Sequence, residues 1–132
     1  MAHTQMATML MFTGQAQEAI DLYVGLFEDS AVEFIQPYGD ENPDMAGQIV
    51  HGRVRIAGQP VLFMDSAPVH DFTFTPSTSF FVSCESEAEV DRIFSTLSEG
   101  GGVLMDLGSY PFAKRYAWVN DRFGVSWQLI YR

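Results

Sequence analysis

The chain has 132 residues and a formal net charge of −10, from 7 Lys and Arg against 17 Asp and Glu. With 47% hydrophobic residues, 11 Phe, 5 Tyr and 2 Trp, it is too apolar and aromatic to be disordered and long enough to bury a core of its own. The few, scattered cations exclude a phosphate-neutralising surface, so neither nucleic acid nor an anionic membrane is an expected partner.

A single cysteine, Cys84, cannot form an internal disulfide, and the apolar stretch ending at Phe12 is too short for a signal core or a span. A cytoplasmic location is the expectation. His3 falls on a frayed end.

In chain order, Met6 to Phe12 is a short Met-rich run closed by the Thr13-Gly14 turn signal, which predicts a buried strand. Gln15 to Phe27 carries Ala16, Ala19, Ile20, Tyr23 and Phe27 at helical spacing, an amphipathic helix with one face on a sheet. Ala31 to Pro37 reads as a strand, and Tyr38 to Gly47 as a mobile loop. From Gln48 to Ile56 the residues alternate, with Ile49, His51, Arg53 and Arg55 on one face and Val50, Val54 and Ile56 on the other. Ala57-Gly58 turns this strand into a second one, Val61 to Asp65.

The pattern then starts again. Ser66 to Ser77 is a loop, Ser79 to Cys84 an aromatic strand, and Ser86 to Ser98 a helix with Val90, Ile93, Phe94 and Leu97 inward. Ser86 followed by Glu89 is a capping box, and Gly100-Gly101-Gly102 ends the helix. Val103 to Leu107 is a strand, and Arg115 to Asn120 with Val125 to Tyr131 forms a hairpin across Asp121-Arg122-Phe123-Gly124.

Thr8 and Ser79, at the starts of the two leading strands, are 71 residues apart, and Ile20 and Val90, Asp21 and Asp91, and Phe27 and Leu97 are each 70 apart. Two copies of strand–helix–strand–strand–strand account for this order. The chain is therefore expected to be one α+β domain over 1–132, with one module over about 1–68 and another over about 69–132.

Several segments carry a family resemblance across most of the chain: Met11-Phe12 leading to Gln15-Ala16-Gln17-Glu18-Ala19-Ile20-Asp21-Leu22-Tyr23, Gly58-Gln59 with Asp65, Phe74-Thr75-Pro76, and Leu97-Ser98-Glu99-Gly100-Gly101. Arg115-Tyr116, Trp118-Val119 and the run from Asp121 through Gly124 to Leu129 complete it. With the paired βαβββ units, they resemble the vicinal oxygen chelate superfamily of glyoxalase I, extradiol dioxygenases and antibiotic-resistance proteins. The closer resemblance is to its PhnB-like branch, historically labelled a demethylubiquinone methyltransferase domain. The resemblance implies two half-barrels enclosing a cup, helices outside, and a homodimer.

In the metalloenzymes of the superfamily, ligands stand on the first and last strand of each module. Laid onto this chain, those positions fall near Ala7 and Phe63, and near Ser79 and Gln128. Ala and Phe cannot coordinate, neutral Ser is a poor ligand, and Gln offers only an amide oxygen. No metal and no cofactor are expected. Methyl transfer is not expected either, because the chain lacks a doubly wound parallel sheet with a glycine-rich first turn.

The remaining candidates are polar and aromatic. Alternation sets Ser126, Gln128 and Ile130 against Trp127, Leu129 and Tyr131, so that if the second set lies under the helix, the Gln128 amide looks into the cup. By the same alternation with Val61 and Phe63, Asp65 is assigned to the cup rim, with a turn anchor as its plainer role. Arg115 beside Tyr110, Tyr116 and Trp118 has the chemistry to hold an acidic or planar ligand, with core packing and a salt bridge as the plainer role. Glu85 beside Cys84 disfavours a thiolate.

The expected function is metal-free binding of a small hydrophobic or aromatic molecule by Ala7, Met9, Phe63, Asp65, Ser79, Phe81, Arg115, Trp118 and Gln128. The alternatives are a lyase or dioxygenase with metal held elsewhere, by His51 with Asp65, and a duplicated scaffold that dimerises through its strand edges.

Overall fold

A computed structural model describes residues 3–132. The chain divides into two compact units, the first reaching Asp71 and the second running from Phe72. Each is a mixed four-stranded sheet carrying one helix.

In the first unit, β1 (Thr8–Phe12), α1 (Ala16–Leu26), β2 (Ala31–Pro37), β3 (Ile49–Ile56) and β4 (Gln59–Asp65) give the strand order β1-β4-β3-β2. β1 runs parallel to β4, and the other pairs are antiparallel. Helix α1 lies over β3 and β4, burying Ala16, Ala19, Ile20, Tyr23 and Leu26. These meet Leu10, Phe12, Val54, Val61 and Phe63, all buried. A continuous apolar stripe on the helix thus finds the inward residues of strands with a two-residue repeat.

The second unit repeats the order with β5 (Phe80–Ser83), α2 (Glu87–Leu97), β6 (Gly102–Tyr110), β7 (Ala113–Asn120) and β8 (Ser126–Tyr131), arranged β5-β8-β7-β6. Helix α2 buries Val90, Ile93 and Leu97 over β7 and β8, where Ala117, Val119, Trp127 and Leu129 lie.

Three local features differ from the sequence reading. Ile49 is buried on the α1 side, beside Ile20, and does not share the His51 face. A register shift between Gln36 and Pro37 on the neighbouring strand breaks the alternation there. The loop after β2 is tied by Tyr38, whose N–H donates to the Gln48 carbonyl and whose hydroxyl donates to the Asp65 carbonyl, and it contains a short 3-10 turn over Pro43–Met45. The capping box on α2 keeps the Ser86 Oγ bond from the Glu89 N–H at 3.0 Å, but Glu89 takes its return bond from the N–H of Glu85.

The two module strands also align differently. Leu10 with Phe63 and Phe80 with Trp127 are the parallel pairs on the helix side, so Met9 and Ser79 are the structural equivalents. The strand offset is therefore 70, as in the helices, and not 71.

Glycine is required where the chain leaves α2. A Cβ on Gly101 would run into the Asn120 carbonyl oxygen. The β3–β4 turn is instead made by Ala57 and Gly58, both at positive φ, 49° and 82°. That is the conformation of a two-residue type I′ hairpin, which favours Asn-Gly. An L-residue with a Cβ at the first position is strained by about 1 kcal/mol, and Asn tolerates it better. Ala57→Asn is expected to raise stability by about 0.5–1 kcal/mol, seen as a higher denaturation midpoint with an unchanged slope.

Candidate functional site

The alternation of β8 decides which side chains are available. Trp127 and Leu129 lie under α2, with the Trp127 ring 4.8 Å from Phe80. Ser126, Gln128 and Ile130 therefore take the face of the sheet that carries no helix. Cross-strand pairing adds Tyr116 opposite Ile130, Trp118 opposite Gln128, and Asn120 opposite Ser126. From β5, Phe81 pairs with Gln128, and Ser79 stands one step before the strand on the same side. Ser79, Phe81, Trp118 and Gln128, four of the expected site residues, thus share the helix-free face of the second sheet.

Hydrogen bonds fix this face. The Tyr116 hydroxyl donates to Gln128 Oε1 at 2.7 Å. Trp118 Nε1 donates to Ser126 Oγ at 2.8 Å, and Ser126 Oγ is 2.7 Å from Ser79 Oγ. Burial, reinforced by neighbouring Tyr110, pushes the Tyr116 hydroxyl above the usual phenol range, so it remains a proton donor. With Oε1 engaged, the Gln128 NH2 points its donors away from Tyr116, and no partner holds it among the described residues. Buried Asn120 Oδ1 likewise has no hydrogen-bond partner among them. Phe81 is 53% exposed and supplies the main apolar surface of this face.

In the first unit, Ala7, Met9, Met11, Leu62 and Met64 make up the corresponding helix-free face. An open groove of about 520 Å³ there is lined by Gln5, Met6, Ala7, Arg53, Pro60 and Leu62. Arg53 is held 3.1 Å from Glu33, which also reaches Arg55 at 3.4 Å.

Three expected site residues lie elsewhere. Phe63 is 0% exposed beneath α1, stacked on Phe12 at 5.7 Å and tilted against Tyr23 at 6.2 Å. Asp65 shares its face and is 1% exposed, so the cup-rim assignment is corrected. Its Oδ1 accepts the N–H groups of Gly14 and Ala16, and its Oδ2 that of Ile49, at 2.8, 3.1 and 3.0 Å. Arg115 is on the helix side of β7, 2.7 Å from Asp91 of α2. The hydrogen bond and charge of Asp91 hold the guanidinium protonated even above its usual range.

His51 faces the helix-free side, its ring 6.0 Å from Phe34. His51 and Asp65 therefore point to opposite faces of one sheet, and Asp65 has no lone pair directed at the histidine. This pair does not fit a shared metal. By register, the helix-free positions of the first sheet that match Ser79 and Gln128 of the second are Met9 and Met64. Neither pair, two thioethers or a hydroxyl with an amide, suits a hard divalent ion. Among the described residues no three His, Cys, Asp or Glu side chains gather in a metal-binding group.

Residues 4–130 match the family described as 3-demethylubiquinone-9 3-methyltransferase. The chain belongs to this PhnB-like family. It is 43% identical to the PhnB protein from Bacillus cereus, with a TM-score of 0.93 covering 98% of this chain and 100% of that one. It is 32% identical over 93 residues to protein YjdN of Escherichia coli strain K12, a match that takes in 70% of this chain and 61% of YjdN. The chain thus spans about three fifths of the length of that curated relative. The fold alone is shared with FosX, a fosfomycin resistance protein from Listeria monocytogenes, at 12% identity and a TM-score of 0.64, over 98% of this chain and 94% of FosX. This PhnB-like chain therefore has the fold of the vicinal oxygen chelate superfamily. No helix among its described residues is long and apolar enough to cross a membrane.

The sequence reading passed over the structural role of Asp121, whose carboxylate accepts the Phe123 and Val125 N–H groups and Trp127 Nε1. Asp121 is the first residue of the Asp-Arg-Phe-Gly turn and its acceptor. The carboxylate beside Cys84 is Glu89, one turn into α2, and not Glu85.

Two outcomes follow from this geometry. Asp65→Ala leaves buried N–H groups without an acceptor and is expected to lose about 3–5 kcal/mol in denaturant unfolding. A loss under about 1 kcal/mol would remove the anchoring role. Burial first, and Glu89 second, push the Cys84 thiol up to about 12. Maleimide at pH 8 should therefore label the folded protein about a thousandfold more slowly than the unfolded chain.

Proposed function

We propose that this protein binds a small, largely apolar or aromatic molecule without a metal, using the helix-free face of its second sheet. The observation that carries this reading is the combination on one face of exposed Phe81, half-buried Trp118, and a Gln128 amide oriented by Tyr116 with its NH2 unengaged. Ligand sites are mainly apolar with a few positioned polar groups, and this face has that composition. The Gln128 NH2 suits a ligand acceptor.

Methyl transfer is not part of the reading. Each sheet has one parallel pair only, and no glycine-rich turn joins a strand to a helix in the manner of a methyl-donor site. A metal-dependent lyase or dioxygenase reaction finds no fitting donor set on the helix-free faces.

A cytoplasmic homodimer is the setting this reading assumes. Exposed Val32 and Phe34 on edge strand β2, with Val103 and Leu104 on edge strand β6, are the apolar groups an intersubunit contact would cover. Monomer alone at micromolar concentration in sedimentation would overturn that part.

The binding test is calorimetric titration with 2-naphthamide, a neutral planar probe. Saturable binding is expected, weakened about tenfold by Phe81→Ala or Gln128→Leu. No saturable binding up to the solubility limit of the probe, or unchanged affinity in both variants, would overturn the proposal.

A further inference from the structure

Charge is distributed unevenly over the second unit. Among the described residues, Arg53, Arg55, Arg92 and Arg115 each pair with a carboxylate. Lys114 and Arg132 do not, although acidic residues outnumber basic ones by 17 to 7. Their positions make this notable. Arg115 pairs with Tyr131, so continuing the register by one sets Lys114 opposite Arg132. Like charges facing each other across a strand pair repel, and nothing in the fold requires them there.

Both cations instead lie against rings. Lys114 Nζ is 5.7 Å from the Tyr131 ring centre, and the Arg132 guanidinium is 5.9 Å from that of Phe81, on the proposed binding face. Together they line an open groove of about 310 Å³ with Tyr110 and Phe112. Those two rings stand 5.4 and 4.9 Å, edge to face, from Tyr116, the residue that orients Gln128. Arg132, against Phe81, and the rings packed on Tyr116 thus connect the groove to the face that carries Phe81 and Gln128.

We infer that the ligand of this face is a planar aromatic molecule bearing a carboxylate, its ring against the Phe81 and Tyr110–Phe112 aromatics and its anionic group between Lys114 and Arg132. This deepens the binding proposal above and rests on it. A guanidinium fork and an ammonium serve one carboxylate by complementary geometry, the first bidentate and the second as a point charge. The anion also relieves the repulsion between the two cations. The chain's net negative charge opposes any anion from a distance, but that field is screened beyond roughly 8 Å at physiological salt, whereas the two cations act at contact.

The experiment compares 2-naphthoate with its neutral isostere 2-naphthamide, by calorimetry, in the parent protein and in the double variant Lys114→Gln, Arg132→Gln. Both positions are exposed, so the variant is expected to fold, and circular dichroism checks this. The parent should bind 2-naphthoate at least about fivefold more tightly than the amide. That preference should shrink with added salt and vanish in the double variant. Equal affinities in the parent, or a preference that survives the double substitution, would overturn the anion inference and leave the aromatic-binding proposal standing. If neither probe binds, both fall together.

Discussion

The parallel pairing of the first and last strand in each module is the constraint on which the other features depend. It sets Leu10 beside Phe63 and Phe80 beside Trp127. Since a strand shows alternate residues to opposite faces, this register fixes every neighbouring assignment. Phe63, Trp127 and Leu129 go under the helices, and Met64 and Gln128 go to the opposite side. A slip of one residue would bury Gln128 and expose Trp127. The register is enforced by the size of the rings it buries, because no other inward residue of β8 fills the same volume.

Each module then closes its ends with a carboxylate that accepts backbone N–H groups, but the two use different places. In the first unit Asp65, at the end of β4, joins the β1–α1 turn to the start of β3. It supplies from a distant strand the acceptor that Gln15, the residue before α1, does not provide through its own side chain. In the second unit α2 carries its own cap in Ser86, and the buried carboxylate, Asp121, has moved to the β7–β8 turn and to Trp127. The repeat therefore conserves the architecture while the local solutions diverge.

This divergence explains what was legible in the sequence. The order of elements, the α1 and α2 faces and the Ser86 cap follow from periodicities of 3.6 and 2 and from local chemistry, which one chain segment contains in full. The alternation of β8 was legible as well, and the side Gln128 takes follows once Trp127 and Leu129 are found under α2. Phe63 and Asp65 were not. The alternation correctly grouped them with Val61, but which face lies under α1 depends on pairing with β1, a partner some 50 residues away. Asp65 violates the ordinary rule that a charged residue marks the outer face, and it does so because three backbone donors converge on it. Arg115 takes its plainer role, a salt bridge: its aromatic sequence neighbours Tyr116 and Trp118 point the opposite way, and its partner, Asp91, belongs to the helix.

The superfamily fold fixes strand positions without fixing the chemistry they carry. The helix-free face of each sheet offers strand positions fixed by register regardless of chemistry, Met9 and Met64 in the first unit and Ser79 and Gln128 in the second. Coordination chemistry needs several anionic or imidazole ligands at fixed spacing, whereas recognition of an apolar molecule needs one or two oriented polar groups on an apolar surface. Tyr116 turns Gln128 from an adaptable amide into a fixed donor by occupying its oxygen. A fixed donor discriminates between ligands, because a molecule without a matching acceptor leaves the desolvated NH2 unpaired. For the proposed binding, selectivity would follow from one hydrogen bond within the protein, made before any ligand arrives.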